Sequence, residues 1–471
     1  MQSTTENKKT TPTYTSSRNA CKLCAPLGAS VVFKGIEGCV PIIHGSQGCA
    51  TYIRRYMISH YKEPVDIASS NFSETTTIYG GNRNFVEGIN NVIKQYNPKV
   101  IGIATTCLAE TIGEDVPGLI AEYKQANADN AELPVFIHAS TPSYQGTHMD
   151  GFHEAVCSAV VALATKSEHT GTHLNLFPGF VSPADLRNLK EMLGDAGIEY
   201  VLLPDYSASL DNPFWKDYHL VPEGGTPVDR IRLTGSARGS IEFGTVLNKG
   251  ALAGRIRNTN VLTTAGEWLE SHCDVPNSRL LMPIGIDGTD RFVETLEKIT
   301  GKKLTEKYSL QRGRLVDSYI DGHKYVFGKR AIVFGDEDMV LGITSFLREI
   351  GIIPVLIASG GESGFMKKEL KEHVGDTGAD TIVMNGTDFE TVRELAETLK
   401  PDIIIGNSKG YYIARELGIP LIRAGFPIHD RVGGPRIEHL FYTGAQQLFD
   451  RIVNALLEYK QEHSPIGYKY M

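Results

Sequence analysis

Val40-Pro41-Ile42-Ile43-His44-Gly45-Ser46-Gln47-Gly48-Cys49 is an apolar run that stops at a glycine-flanked turn carrying a cysteine. The run reads as the end of a strand, and Tyr52-Ile53-Arg54-Arg55-Tyr56 beyond it reads as the start of a helix. A strand feeding a helix through a tight turn is the repeating step of open α/β sheets. Ligands bind such sheets outside the carboxyl ends of the strands. Two more cysteines have similar surroundings: Cys24 in Cys24-Ala25-Pro26-Leu27-Gly28-Ala29 and Cys107 in Thr105-Thr106-Cys107-Leu108-Ala109-Glu110.

The same alternation runs through the rest of the chain. Between Asn84 and Gln95, the apolar residues Phe85, Val86, Ile89, Val92 and Ile93 mark one helical face, and Tyr96-Asn97-Pro98 stops it. Val100 to Thr105 follows as a continuous apolar strand, as a buried parallel strand requires. Pro134 to His138 is the next strand, and Gly151 to Thr165 a helix. Further on, Leu174 to Phe177 is a strand. Ser182-Pro183 offers an N-cap followed by proline at the first helical position, and Tyr200 to Asp205 is the next strand. Residues 206–260 show no clear pattern. A third set of strands reads at Ala331–Asp336, Pro354–Ala358, Thr381–Met384, Asp402–Ser408 and Pro420–Gly425, with a capping box expected from Thr387 and Glu390. The expectation is an α/β protein of three Rossmann-like domains with parallel sheets flanked by helices: residues 20–165 with the three cysteines, 166–325, and 326–471 ending in a helix from Gln446 to Tyr459. Residues 1–19, polar and rich in Thr and Ser, are expected to form a disordered tail.

A length of 471 residues fits two to four domains at about 100–200 residues each. A net charge of −8, with no basic run, argues against a nucleic-acid partner. No 18-residue apolar stretch predicts a membrane span, and the first residues lack the apolar centre of a secretory signal, so a cytoplasmic location is expected. Seven cysteines in so long a chain do not make a disulfide framework. Metal binding, redox chemistry and plain burial remain.

Thiolates are preferred ligands of iron–sulfur clusters, and the small residues around Cys24, Cys49 and Cys107 leave the clearance a cluster needs. The competing reading is three buried, inert thiols. Cys21 and Cys24 form a Cys-x-x-Cys pair with no second pair to complete a zinc site. Cys39 and Cys157 read as packing, and Cys273 beside His272 is weak evidence for any site. His44 is either a proton donor or a brace holding the turn through backbone hydrogen bonds. Arg54 and Arg55 either face an anionic group or form a solvated helix face. No phosphate-binding Gly-x-x-x-x-Gly-Lys-Ser/Thr, Gly-x-Gly-x-x-Gly after a strand, or Gly-x-Ser-x-Gly elbow is present.

These motifs, with His60-Tyr61-Lys62-Glu63-Pro64, Gln311-Arg312-Gly313-Arg314-Leu315-Val316-Asp317, Gly406-Asn407-Ser408 and Arg423-Ala424-Gly425-Phe426-Pro427, resemble the β-type chains of the nitrogenase component 1 superfamily. Within it, the short region before Cys24 and the segments Pro204–Asp211 and Ala424–Gly434 are most similar to the β-like subunit of the scaffold that matures the iron–molybdenum cofactor. That resemblance implies a [4Fe–4S] cluster at a subunit interface, with Cys49 as this chain's ligand and His44, Gly48 and Thr147 near the group. Retention of Cys24 and Cys107 is instead similar to a catalytic β subunit with an eight-iron P-cluster. The catalytic chain has a serine near the cluster in a Gly-Ser-His segment, where this chain has Gly146-Thr147-His148. The implied partners are an α-like subunit in a heterotetramer, an ATP-dependent iron protein and a cofactor precursor. The cofactor itself is implied to lie in the α-like chain, because its histidine ligand has Phe426 as the counterpart here.

Overall fold

The computed structural model describes residues 21–466 apart from 145, 247–263, 376 and 379. The expected tail and part of the unpatterned 206–260 stretch lie outside the described residues.

Three parallel sheets organise the chain. The first contains β1 (Cys39–His44), β2 (Ala68–Ser69), β3 (Val100–Thr105) and β4 (Val135–Ala139) in the order β2-β1-β3-β4. Residue by residue, β1 and β3 are buried, as their unbroken apolar runs require when helices cover both faces. The second contains β5 (Leu174–Phe177), β6 (Tyr200–Leu202), β7 (Gly239–Phe243) and β8 (Asn277–Leu280) in the order β6-β5-β7-β8. The third contains β9 (Arg330–Gly335), β10 (Ile353–Ser359), β11 (Ile382–Met384), β12 (Ile403–Gly406) and β13 (Leu421–Arg423) in the order β11-β10-β9-β12-β13. The α/β class with parallel sheets flanked by helices is therefore as read from the sequence. One apolar core joins the sheets and includes Ile43 of β1, Leu176 of β5 and Val333 of β9.

Some elements differ from expectation for physical reasons. The helix after β1 begins at Gln47, not near Tyr52, because Ser46 caps it by accepting from Gly48 N. Cys49 consequently sits in the first helical turn. Thr387 and Glu390 form no capping box. Thr387 N is still engaged with Ser359 O at 3.1 Å, so the next residue, Asp388, caps the helix by accepting from Thr391 N at 2.9 Å. Glu390 pairs with Arg393 instead. Ser182 behaves as expected and forms a reciprocal box with Asp185, with Pro183 in the first turn. The C-terminal helix is longer than expected, Phe441–Glu462, and packs on helix Glu306–Val326, where Gly322 meets Phe449. No helix among the described residues is long and apolar enough to cross a membrane.

Candidate metal centre

The three singled-out cysteines each stand at the start of a helix. Cys24 is the N-cap of helix Ala25–Lys34. Cys49 lies in the first turn of helix Gln47–Tyr61, after β1, and Cys107 opens helix Cys107–Ile112, after β3. All three are exposed, whereas Cys21, Cys39, Cys157 and Cys273 are buried. Helix starts present N–H groups and a positive dipole end, both of which favour thiolate.

Close backbone contacts hold these starts together. A β-carbon on Gly45 would lie 2.0 Å from Thr106 Oγ1, so only glycine lets the turn before Cys49 lie against the residue before Cys107. Thr106 N also donates to His44 O at 3.1 Å. Gly28 would meet His148 O at 1.7 Å and Gly151 would meet Ala25 O at 1.9 Å. The Cys24 helix therefore rests backbone to backbone on helix His148–Leu163. Ser143, in the loop after β4, joins the two parts. Its hydroxyl accepts from Ala25 N at 3.0 Å, and its own N–H donates to Cys107 Sγ at 3.2 Å. Sequence reasoning missed Ser143. The signal was available, because Ser143 follows β4 much as Cys107 follows β3.

The thiols influence one another. Burial of its sulfur side pushes Cys24 up to about 11, and the Cys49 and Cys107 thiols add to the rise. Burial also raises Cys49, with Cys107 contributing. The sulfurs do not all lie within 4.8 Å of one another, as the ligands of a single ion would; among the described residues that spacing occurs at Glu369, Glu372 and His373. A polynuclear iron–sulfur cluster, bridged by its own sulfides, fits the wider thiol set, and the Ser143 N–H on Cys107 is the kind of donor that tunes one.

The other expected residues divide. Gly48 is exposed beside Cys49, with Ser46 Oγ the nearest atom to an added β-carbon, at 3.7 Å. His44 is fully buried. Nε2 lies 3.2 Å from Glu114, which in turn accepts from Gly81 N at 2.7 Å. The ring packs edge-on against Phe72 and Phe85. His44 therefore braces the turn through a carboxylate, not through backbone. Its burial lowers the imidazole below its usual range, with Glu114 opposing. Thr147 is buried and caps helix His148–Leu163, with its hydroxyl 2.9 Å from Asp150. Cys21 packs in the core around β9, β10 and β12, so the Cys-x-x-Cys pair does not converge. Arg54 Nε donates to Val65 O at 2.8 Å, while Arg55 is exposed.

A profile described as "Nitrogenase component 1 type Oxidoreductase" matches residues 24–457. The chain is 34% identical to the nitrogenase molybdenum-iron protein beta chain of Clostridium pasteurianum over 442 residues, 93% of each protein. The chain belongs to the nitrogenase component 1 family. Its similarity is to the β-type chains: it is also 34% identical to the corresponding beta chain of Methanothermobacter marburgensis, covering 94% of this chain and 96% of that one. A solved structure titled "Nitrogenase Cp1 at pH 6.5" superposes with a TM-score of 0.90 at 32% identity, covering 99% of both chains. A second, "Nitrogenase Cp1 at pH 5", has a TM-score of 0.69 at 16% identity and shares the fold.

Within this family member, the junction of the three α/β units is filled. Phe426 follows β13, Phe180 follows β5, and His60 and Tyr61 end the helix after β1. Phe426 lies 4.7 Å from the His60 ring and 5.0 Å from Phe180. The cavity they leave with Gly425 and His439 is about 20 Å³, room for one water.

Proposed function

We propose that this chain is the β subunit of a catalytic nitrogenase component 1 protein, which pairs with an α-type chain in a heterotetramer. Cys24, Cys49 and Cys107 together would hold an iron–sulfur cluster of the eight-iron P-cluster type at the subunit interface. The observation that carries this reading is that these three cysteines are exposed residues at neighbouring helix starts while the other four are buried. The printed names of the relatives, molybdenum-iron protein beta chains, support it. When bound, the cluster supplies reversible electron storage between an ATP-dependent iron protein and a cofactor carried by the partner. This chain's share is to supply three thiolates and to offset their charge with helix N–H groups and Ser143. Tyr52 on the Cys49 helix is 63% exposed, and Ile78 and Tyr79 in helix Glu74–Tyr79, packed on the Cys107 helix, are 74% and 83% exposed. Large apolar side chains beside exposed cysteines suit a surface that a partner covers. The aromatic filling leaves no space for the cofactor around Phe426.

A second reading, the β-like subunit of the cofactor-assembly scaffold with a [4Fe–4S] interface cluster, is favoured by Thr147. Where a catalytic chain is expected to offer a serine, this hydroxyl is engaged in a helix cap. The test is anaerobic co-purification with the α-like partner, followed by assay with the iron protein and ATP. Steady reduction of dinitrogen supports the catalytic reading. Delivery of a cofactor precursor to apo-nitrogenase without turnover supports the scaffold. A colourless, iron-free complex overturns both.

A further inference from the structure

The residues just before Cys24 are tied to the third α/β unit, while the helix that follows Cys24 packs on the sheet preceding Cys49 and Cys107. Cys21 N donates to Thr387 O at 3.3 Å, and a β-carbon on Gly360 would meet the Cys21 carbonyl carbon at 2.5 Å. Leu23, the residue before Cys24, pairs with His148 at both backbone groups: Leu23 N donates to His148 Nδ1 at 3.4 Å, and Leu23 O accepts from His148 N at 3.0 Å. A neutral imidazole that accepts at Nδ1 carries its proton on Nε2. That nitrogen lies 3.0 Å from Asp336 Oδ1, a close contact without the alignment of a hydrogen bond, with His148 buried and Asp336 nearly so. Asp336 stands at the N-cap of helix Glu337–Glu349, where an aspartate ordinarily accepts from its own helix. It makes no such bond and instead faces His148. Phe180 and Phe426 pack on the imidazole at 5.8 and 6.1 Å and restrict its rotation.

We propose that His148 is a positioning residue for Cys24: backed by Asp336, it fixes Leu23 and so aims the Cys24 thiol at the cluster face. The third α/β unit thereby sets the geometry of a ligand carried by the first. The consequence for a cluster rests on the reading given above, but the positioning is a property of the metal-free chain and is tested there. The full-length metal-free protein is alkylated with iodoacetamide, and the rate at each cysteine is read by mass spectrometry, with Cys49 and Cys107 as internal references. His148→Leu removes the acceptor and is expected to speed Cys24 several-fold while Cys49 and Cys107 keep their rates. His148→Asn keeps an acceptor at the δ position and is expected to restore the wild-type rate. Asp336→Ala, which breaks no cap bond, is expected to reproduce the selective effect and serves if His148→Leu does not fold. An unchanged Cys24 rate in a folded His148→Leu or Asp336→Ala protein overturns the proposal, as does equal acceleration of all three thiols. A wild-type complex without iron would overturn the proposed function and leave this result standing.

Discussion

A cysteine at a helix start and a cysteine in a strand are chemically alike and physically different. Cys24, Cys49 and Cys107 stood out in the sequence by their small neighbours, and the structure places each at a helix start. The burial of Cys39 and Cys157 was legible from their apolar neighbours. His44 was not: the motif marks it as special, but its partner Glu114 is 70 residues away and no local pattern announces the pair. Glycines separate in the same way. Gly28→Ala places a β-carbon against a backbone oxygen at 1.7 Å, so denaturant unfolding should show a loss of about 1–3 kcal/mol. Gly48→Ala meets only Ser46 Oγ, at an ordinary contact distance of 3.7 Å, and should change stability by under about 0.5 kcal/mol. His60 gives a pH prediction. Burial keeps it neutral in the folded protein down to about pH 3, and Nδ1 accepts from Ile428 N at 2.9 Å. Its ordinary value is near 6.5. Between those values the unfolded chain binds the extra proton, so its contribution is fully present above pH 6.5 and is lost as pH falls toward 3. Stability measured across that window should fall less steeply with acid in His60→Gln than in the parent; identical slopes would contradict this.

At the scale of elements, periodicity worked where burial is complete and apolar. β3 lies where its apolar run places it. β7 and β8 escaped because they bring charge into the sheet. Glu242, in the middle of β7, is buried and accepts from Thr264 Oγ1 at 2.6 Å, Gly266 N at 2.8 Å and Asn277 Nδ2 at 2.9 Å. Its partners come from a separate helix start and from β8, so the strand is apolar only in its tertiary setting. Burial raises this carboxyl above its usual range, with the same hydrogen bonds opposing. Caps were more legible than edges. The Ser182–Asp185 box is local, and Ser182→Ala should cost about 0.5–2 kcal/mol in thermal or denaturant melts. The Asp388 cap shows the limit of such reading: two good capping residues stood side by side, and the strand hydrogen bond to Thr387 decided between them.

At the scale of the molecule, three parallel sheets meet around an aromatic cluster that one residue from each unit helps build. Phe426→Ala should open this centre and cost about 3–5 kcal/mol, measured by unfolding of the metal-free chain. The fold class was open to sequence reasoning. The filling of the centre was legible only through Phe426, because His60, Phe180 and His148 are far apart in the chain. What tells a catalytic subunit from a scaffold is how many of the three thiols carry iron. The most direct measurement is Mössbauer spectroscopy of the anaerobic complex with the α-like partner, comparing the parent with Cys24→Ser, Cys49→Ser and Cys107→Ser. The account predicts an eight-iron interface cluster that each substitution disrupts. Four irons at the interface, lost with Cys49→Ser but unaltered by Cys24→Ser and Cys107→Ser, would contradict it.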